Sequence, residues 1–203
     1  MSQPTTASDG HLADAEPVDA AAVRDDIEAA AGQRRSRLPE RPLEQALMTL
    51  SLDYRAAQWL TDQADDPAEA GSHWRRGEPA LLRLGHRMEA VRLPRAVVDR
   101  AAGFREHDRI EEALAGCGVT HAVFADAGPR WYYALVPVGT RAHWDVRGID
   151  CLGEDSYLGV PAPFQGEPPG AHWLLTPPHA TDMLCRPQQL KALISMDPEA
   201  AGA

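Results

Sequence analysis

The amino-acid sequence predicts an α+β fold, with helices first and a cluster of short strands behind them. Apolar residues recur at helical spacing over residues 42–63, whereas the apolar runs after residue 79 are short and bounded by glycine and proline. Hydrophobic residues make up 44% of the 203 positions, which is enough to build a core. The length fits one domain with a tail.

Residues 1–38 are predicted to form a disordered, acidic tail. They contain no aromatic residue and few large aliphatic ones, so folding them would bury too little apolar surface to offset the lost conformational entropy. We interpret the segment as a solvated tail, with docking to a protein partner as the alternative. The single domain then spans 39–197, and residues 198–203 are expected to fray.

The first predicted helix carries an apolar stripe. Leu43, Leu47, Leu50, Tyr54 and Ala57 recur at steps of four and three residues, which places them on one face. We expect this face to pack in the core, because the stripe is too short for a coiled-coil seam. Proline and glycine near segment ends predict further helices over 67–74, 94–102, 108–115 and 187–195.

Seven short strands are predicted after these first helices. In one of them Trp131, Tyr132 and Tyr133 are consecutive, so Tyr132 faces one way and the other two face the opposite way. An exposed pair would offer a stacking surface for bases, but two covered faces are the favoured interpretation, since consecutive aromatics suit a strand buried on both sides. The strands are expected near 79–84, 88–93, 121–125, 131–136, 148–152, 157–160 and 172–175, with turns at Gly85 and over 126–129.

Composition and motifs exclude several classes of function. The formal net charge of −10 opposes tight, sequence-independent binding to nucleic acid, which depends on many phosphate contacts. The sequence contains no phosphate-binding loop, no dinucleotide-binding glycine motif and no serine-hydrolase elbow. The spacing of His, Cys, Asp and Glu matches no metal signature, so no metal site is predicted.

The three cysteines, Cys117, Cys151 and Cys185, form no Cys-x-x-Cys pair. An odd number at these spacings supports neither a disulfide framework nor a zinc site, and free cysteine is commonly buried. The first residues lack the features of a signal peptide, and the sequence has no 18-residue apolar run. We expect a cytoplasmic protein with reduced thiols and no membrane partner.

A series of short motifs follows the order found in a known family. The motifs are Trp74, Arg83-Leu-Gly85 with residues 88–93, Gly128-Pro-Arg-Trp131-Tyr-Tyr133, Gly148-Ile-Asp150-Cys-Leu-Gly153, Tyr157 and Val160-Pro161. Residues 59–194 thereby resemble the N-terminal domain of bifunctional DNA primase/polymerases, the prim-pol family, in the short form found in high-GC bacteria. The resemblance implies an RRM-like, mixed sheet packed with helices.

Departures from the family motifs imply a degenerate active site. The family is expected to hold two divalent metals on carboxylates. Here the Asp-x-Asp positions correspond to Arg92 and Pro94, neither of which binds a metal, and the motif histidine corresponds to Trp131. Asp150 is the one family-motif carboxylate retained, and Leu152 stands where an arginine is expected. The resemblance therefore implies neither catalysis nor a cofactor.

We predict a catalytically degenerate domain that acts as a regulatory binding module for a nucleotide, a nucleic acid or a protein. One alternative is an active, metal-dependent nucleotidyltransferase that uses Asp150 and Glu89 with Mg²⁺ or Mn²⁺. Another is a protein-interaction protein with no nucleotide role. The candidate ligand contacts are Arg83, His86, Arg92, Trp131 and Tyr133.

Overall fold

The computed structural model describes residues 43–103, 107–128 and 130–197. The predicted tail (1–38) and the predicted frayed end (198–203) lie outside the described residues. The chain divides into two compact units, Met1–Gln45 and Ala46–Ala203. Almost all of the first unit lies outside the described residues, so the account below concerns the second.

Helices and strands are both present, so the predicted α+β class is confirmed. Each predicted helix is found within two residues of its expected bounds. Asp66 begins the second helix, because its carboxylate accepts hydrogen bonds from the amides of Ala68 and Glu69 at 2.8 and 3.1 Å. None of the described helices is long and apolar enough to cross a bilayer. The helices are α1 (Leu43–Thr61), α2 (Pro67–Arg75), α3 (Arg95–Ala102), α4 (His107–Gly116) and α5 (Pro187–Ser195).

The face of α1 that we expected to pack in the core is exposed, so that prediction is wrong. Leu47, Leu50 and Tyr54 are 58%, 65% and 64% exposed, whereas Ala56 and Leu60 are buried. Two residues along a helix correspond to a rotation of about 200°, so Tyr54 and Ala56 face opposite ways. Helical periodicity identifies residues that share a face, but it does not identify which face meets the rest of the molecule.

The strands form two sheets. The first is a two-stranded ribbon of β1 (Ala80–Arg83) and β6 (Tyr157–Val160); the second has the order β5-β2-β4-β3-β7. Every ladder between named strands is antiparallel, and the mixed character is limited to one isolated parallel bridge, His121–Thr176. The second sheet comprises β2 (Glu89–Pro94), β3 (Val123–Ala125), β4 (Trp131–Val136), β5 (Asp150–Leu152) and β7 (His172–Trp173).

The order of the central strands is that of a split β-α-β arrangement, as in the RRM fold. The chain leaves β2 through α3 and α4, returns as the hairpin β3–β4, and places β5 on the free side of β2. Between β4 and β5, where this arrangement has its second helix, the chain forms only a short 3₁₀ helix, Arg141–His143. The helix α5 from the end of the described chain packs against α3 instead.

The tight turn between β1 and β2 requires a glycine. Gly85 has a φ of +89°, and a Cβ at this position would lie 2.6 Å from the backbone of Glu154. A side chain would therefore be strained by the left-handed conformation and would also clash with the chain between β5 and β6. Gly85 brings the ribbon and the five-stranded sheet into close contact.

One sheet face packs on the helices and the other lies partly under the ribbon. Tyr132 is buried on the helix side, with the Arg95 guanidinium of α3 5.4 Å from its ring centre. On the other side the Trp173 indole donates to the carbonyl of Pro161, just after β6, at 3.3 Å. The Trp74 indole of α2 donates to the carbonyl of Val160 at 2.9 Å. These bonds fix the ribbon and α2 over one half of the sheet.

Replacing Arg100 with alanine is expected to destabilise the fold. Arg100 of α3 makes a bidentate pair with Asp197, two residues after α5, at 2.8 Å for each bond, and Asp197 is only 1% exposed. The change removes two charge-assisted bonds from a buried carboxylate, at a cost of about 3 kcal/mol. Urea unfolding measures the loss. Arg147→Ala, at an exposed loop position, is the matched control, and an equal loss in both variants would contradict this account.

Candidate functional site

Residues from all five strands of the larger sheet line up in one row. Asp150 lies opposite Arg92, Arg92 opposite Tyr133, Tyr133 opposite Phe124, and Phe124 opposite Trp173. Directly opposed residues of antiparallel strands point to the same side of a sheet. The row therefore places a charged pair and three aromatic rings on the side that carries the ribbon, and its Asp150 end is the exposed one.

Arg92 connects the charged and aromatic parts of this row. Its Nη2 donates to Asp150 Oδ2 at 2.5 Å, and its guanidinium carbon lies 4.6 Å from the ring centre of Trp131. Arg130 approaches the same indole at 5.9 Å. The Nε of Arg92 is buried and finds no hydrogen-bond acceptor among the described residues. We call these residues, with the half-buried Tyr133, the Trp131 surface: Arg92, Arg130, Trp131, Tyr133 and Asp150.

The tyrosines of β4 show the predicted alternation. Tyr132 is buried against the helices, where burial raises its pKa to about 12. Tyr133 is half-buried on the other side and stacks on Phe124, with ring centres 5.3 Å apart. Burial, with a further contribution from the Asp126 carboxylate, raises the pKa of Tyr133. The expectation that both faces of β4 are covered is wrong near Trp131, because the ribbon covers only part of the sheet.

Glu89 belongs to the opposite face of the sheet from Asp150. It lies three residues before Arg92 on the same strand, and side chains alternate along a strand. Its carboxylate accepts hydrogen bonds from the amides of Gly139 and Arg141 at 3.2 and 2.6 Å, and it thereby holds the loop after β4. Glu89 and Asp150 consequently do not converge on a common ion. No cluster of three metal-binding side chains occurs in the described part of the chain.

Arg83 and His86 do not join the Trp131 surface. They line a cavity of about 390 Å³ between the end of α1 and the ribbon. Four carboxylates line it too, and Arg92 is not among its lining residues. The candidate ligand contacts named from the sequence therefore do not form one site, because Arg83 and His86 lie apart from Arg92. The four carboxylates belong to Asp62, Asp65, Glu154 and Asp155.

A second cavity borders the Trp131 surface. It has a volume of about 480 Å³ and lies along β5, next to Asp150 and Cys151. Arg141 and Trp144 line it, and the Trp144 indole donates to the carbonyl of Ile149 at 2.8 Å. Sequence reasoning did not single out Arg130, Arg141 or Trp144. The only available signal was the position of Arg130, which directly precedes Trp131.

No protein-family model, curated protein or solved structure matches this chain. The resemblance to the prim-pol family therefore stays a prediction.

Cys151 is expected to resist alkylation in the folded protein. Burial, together with the Glu89 carboxylate 3.9 Å away, raises the pKa of Cys151 to about 12. The reactive thiolate then makes up only about one part in 10,000 at pH 8, against about a quarter for a free thiol. Iodoacetamide labelling followed by peptide mass spectrometry, with and without urea, measures the difference. Rapid labelling of Cys151 without urea would show a reactive thiol and contradict this assignment.

Proposed function

We propose that this chain is a non-catalytic binding module for a nucleotide or a short single strand of nucleic acid, held at the Trp131 surface. The observation that carries the proposal is the guanidinium of Arg92 packed on the half-buried Trp131. An aromatic face stacks on bases of any identity, and guanidinium groups bind phosphate through paired donors. Arg130, which is exposed beside the same ring, supplies a second cation.

Three features support binding without phosphoryl transfer. Asp150 is engaged by Arg92, so its charge is already compensated. Arg92 and Pro94 stand on the strand beside it, and neither side chain offers a metal ligand. Glu89 is used on the far side of the sheet to hold the loop after β4. A two-metal mechanism needs several carboxylates that converge on one point, and this surface offers one.

Ligand binding at this surface is expected to be weak and sensitive to salt. The protein carries a formal net charge of −10, so it repels an anionic ligand at long range. Added salt screens this repulsion. However, added salt also weakens the attraction between phosphate and the guanidinium groups of Arg92 and Arg130. Three free cysteines fit the further proposal of a reducing, cytoplasmic location.

Replacing Trp131 with alanine is expected to weaken binding of ATP and of a short oligothymidylate about tenfold, because base stacking contributes about 1–3 kcal/mol. Arg130→Ala is expected to weaken binding and to lower the salt dependence by about one counterion. Fluorescence anisotropy at low salt measures both effects. Arg186→Ala is the matched control, because this exposed arginine is placed near the other end of β4 from Trp131. The residue before it, Cys185, donates its amide to the carbonyl of Leu135 at 2.8 Å. Absence of binding by the unmodified protein would leave only the protein-partner form of the module.

Replacing Asp150 with asparagine is expected to strengthen binding of the same anionic ligands up to about fivefold. Asp150 competes with phosphate for Arg92, and a partly exposed pair of this kind is worth about 1 kcal/mol or less. Asp145→Asn removes an equal charge from another exposed ion pair, with Lys191, and is expected to change affinity much less.

Primer extension separates this proposal from the active-enzyme alternative. We expect no extension with Mg²⁺ or Mn²⁺. Extension that disappears in Asp150→Ala would assign Asp150 a catalytic role and would overturn the binding-module proposal.

A further inference from the structure

The cavity beside β5 continues directly from the Trp131 surface. Asp150 belongs to both, because its carboxylate pairs with Arg92 and its side chain also lines the cavity. The volume of about 480 Å³ falls within the range of sites that hold small organic groups. A ligand that contacts Trp131 and Arg92 therefore meets this cavity where it passes Asp150.

The cavity opens along the edge of the larger sheet. β5 stands at one end of the strand order, beside β2. All three residues of β5 line the cavity, although side chains of consecutive strand residues point to opposite faces. The cavity therefore follows the edge of the sheet rather than one face. Because an edge strand also presents unpaired backbone donors and acceptors, β5 can hydrogen-bond the polar groups of a ligand there.

The cavity offers a cation and an aromatic wall. Arg141 is exposed, and its guanidinium makes one hydrogen bond within the described part of the chain, from Nη1 to the carbonyl of Glu154 at 3.4 Å. The indole of Trp144, which lines the cavity, is held in place by its bond to the carbonyl of Ile149. A guanidinium with only a long contact to a neutral carbonyl can turn to a phosphate, and an indole packs well against a base or a sugar.

The spacing of the two arginines matches several nucleotides rather than one. A Cβ on Gly153 would lie 3.0 Å from the Cδ of Arg141, so the Arg141 side chain lies beside Gly153, three residues after Asp150. Three residues at strand spacing span about 10 Å, and Asp150 is bonded to Arg92. Since stacked nucleotides advance by roughly 3.4 Å each, Arg92 and Arg141 are about three nucleotides apart.

We propose that the Trp131 surface and this cavity form one track for a single strand of nucleic acid, with a base on Trp131 and a phosphate about three nucleotides further along at Arg141. The inference rests on the proposed binding function and selects the single strand over the mononucleotide as its ligand. A nucleoside monophosphate that stacks on Trp131 does not reach Arg141, so it uses only part of the track. Affinity therefore rises with strand length until the strand reaches Arg141.

Competition at low salt against a fluorescent oligothymidylate tests the track, with thymidine monophosphate and unlabelled oligothymidylates of about two to eight nucleotides as competitors of the full chain. We expect affinity to rise at least about tenfold from the monophosphate to a strand of about four nucleotides and then to level off. Arg141→Ala is expected to weaken binding of that strand about fivefold, to lower its salt dependence by about one counterion and to leave the monophosphate unaffected. Arg186→Ala, the control used above, is expected to change neither ligand.

Circular dichroism checks that the variants are folded, and Arg141→Gln replaces Arg141→Ala if the latter unfolds. Equal affinity for the monophosphate and the strands, with both weakened by Trp131→Ala, overturns the track and leaves the proposed binding function standing. An equal loss of both ligands in Arg141→Ala overturns the track too. If the unmodified protein binds neither the monophosphate nor any strand, the proposed binding function fails, and the track fails with it.

Discussion

The pairing of β2 with β4 fixes both the core and the candidate site. Six consecutive residue pairs join these strands, from Glu89–Val136 to Pro94–Trp131. Because side chains alternate along each strand, one fixed pair determines the face of all twelve residues. In this register Tyr132 and Leu93 enter the core while Arg92 and Trp131 remain on the other side. A slip of one residue would bury the guanidinium of Arg92 if β2 moved, or expose Tyr132 if β4 moved, so the apolar core itself enforces the position of the basic and aromatic groups.

The interactions within the Trp131 surface are weak one by one. The side chains of Arg92 and Asp150 are 35% and 62% exposed, and pairs in such positions contribute at most about 1 kcal/mol. The contact between Arg92 and the indole has a similar magnitude at a solvated site. Neither contact therefore holds the fold together, and each can be exchanged for a contact with a ligand at small cost. The stable framework comes instead from buried contacts, such as the pairing of Arg100 with Asp197.

Local sequence patterns predicted the elements of the fold but not their relations in space. The bounds of α5 are those expected, because Pro187 starts the helix and an apolar spacing defines its extent. The alternation of Trp131, Tyr132 and Tyr133 also followed from strand geometry alone. By contrast, Asp150 lies 58 residues after Arg92, and no local pattern specifies that β5 pairs with β2 in this register. The role of Glu89 was hidden for the same reason, since its partners are backbone amides of a loop that follows a different strand.

The outer strands of both sheets are short. β5 and β7, at the two edges of the larger sheet, have three and two residues, and each ribbon strand has four. An edge of this length exposes too few backbone donors and acceptors to template an added strand. Fibril-like growth by edge pairing is therefore disfavoured, even though several apolar strands lie close to the surface.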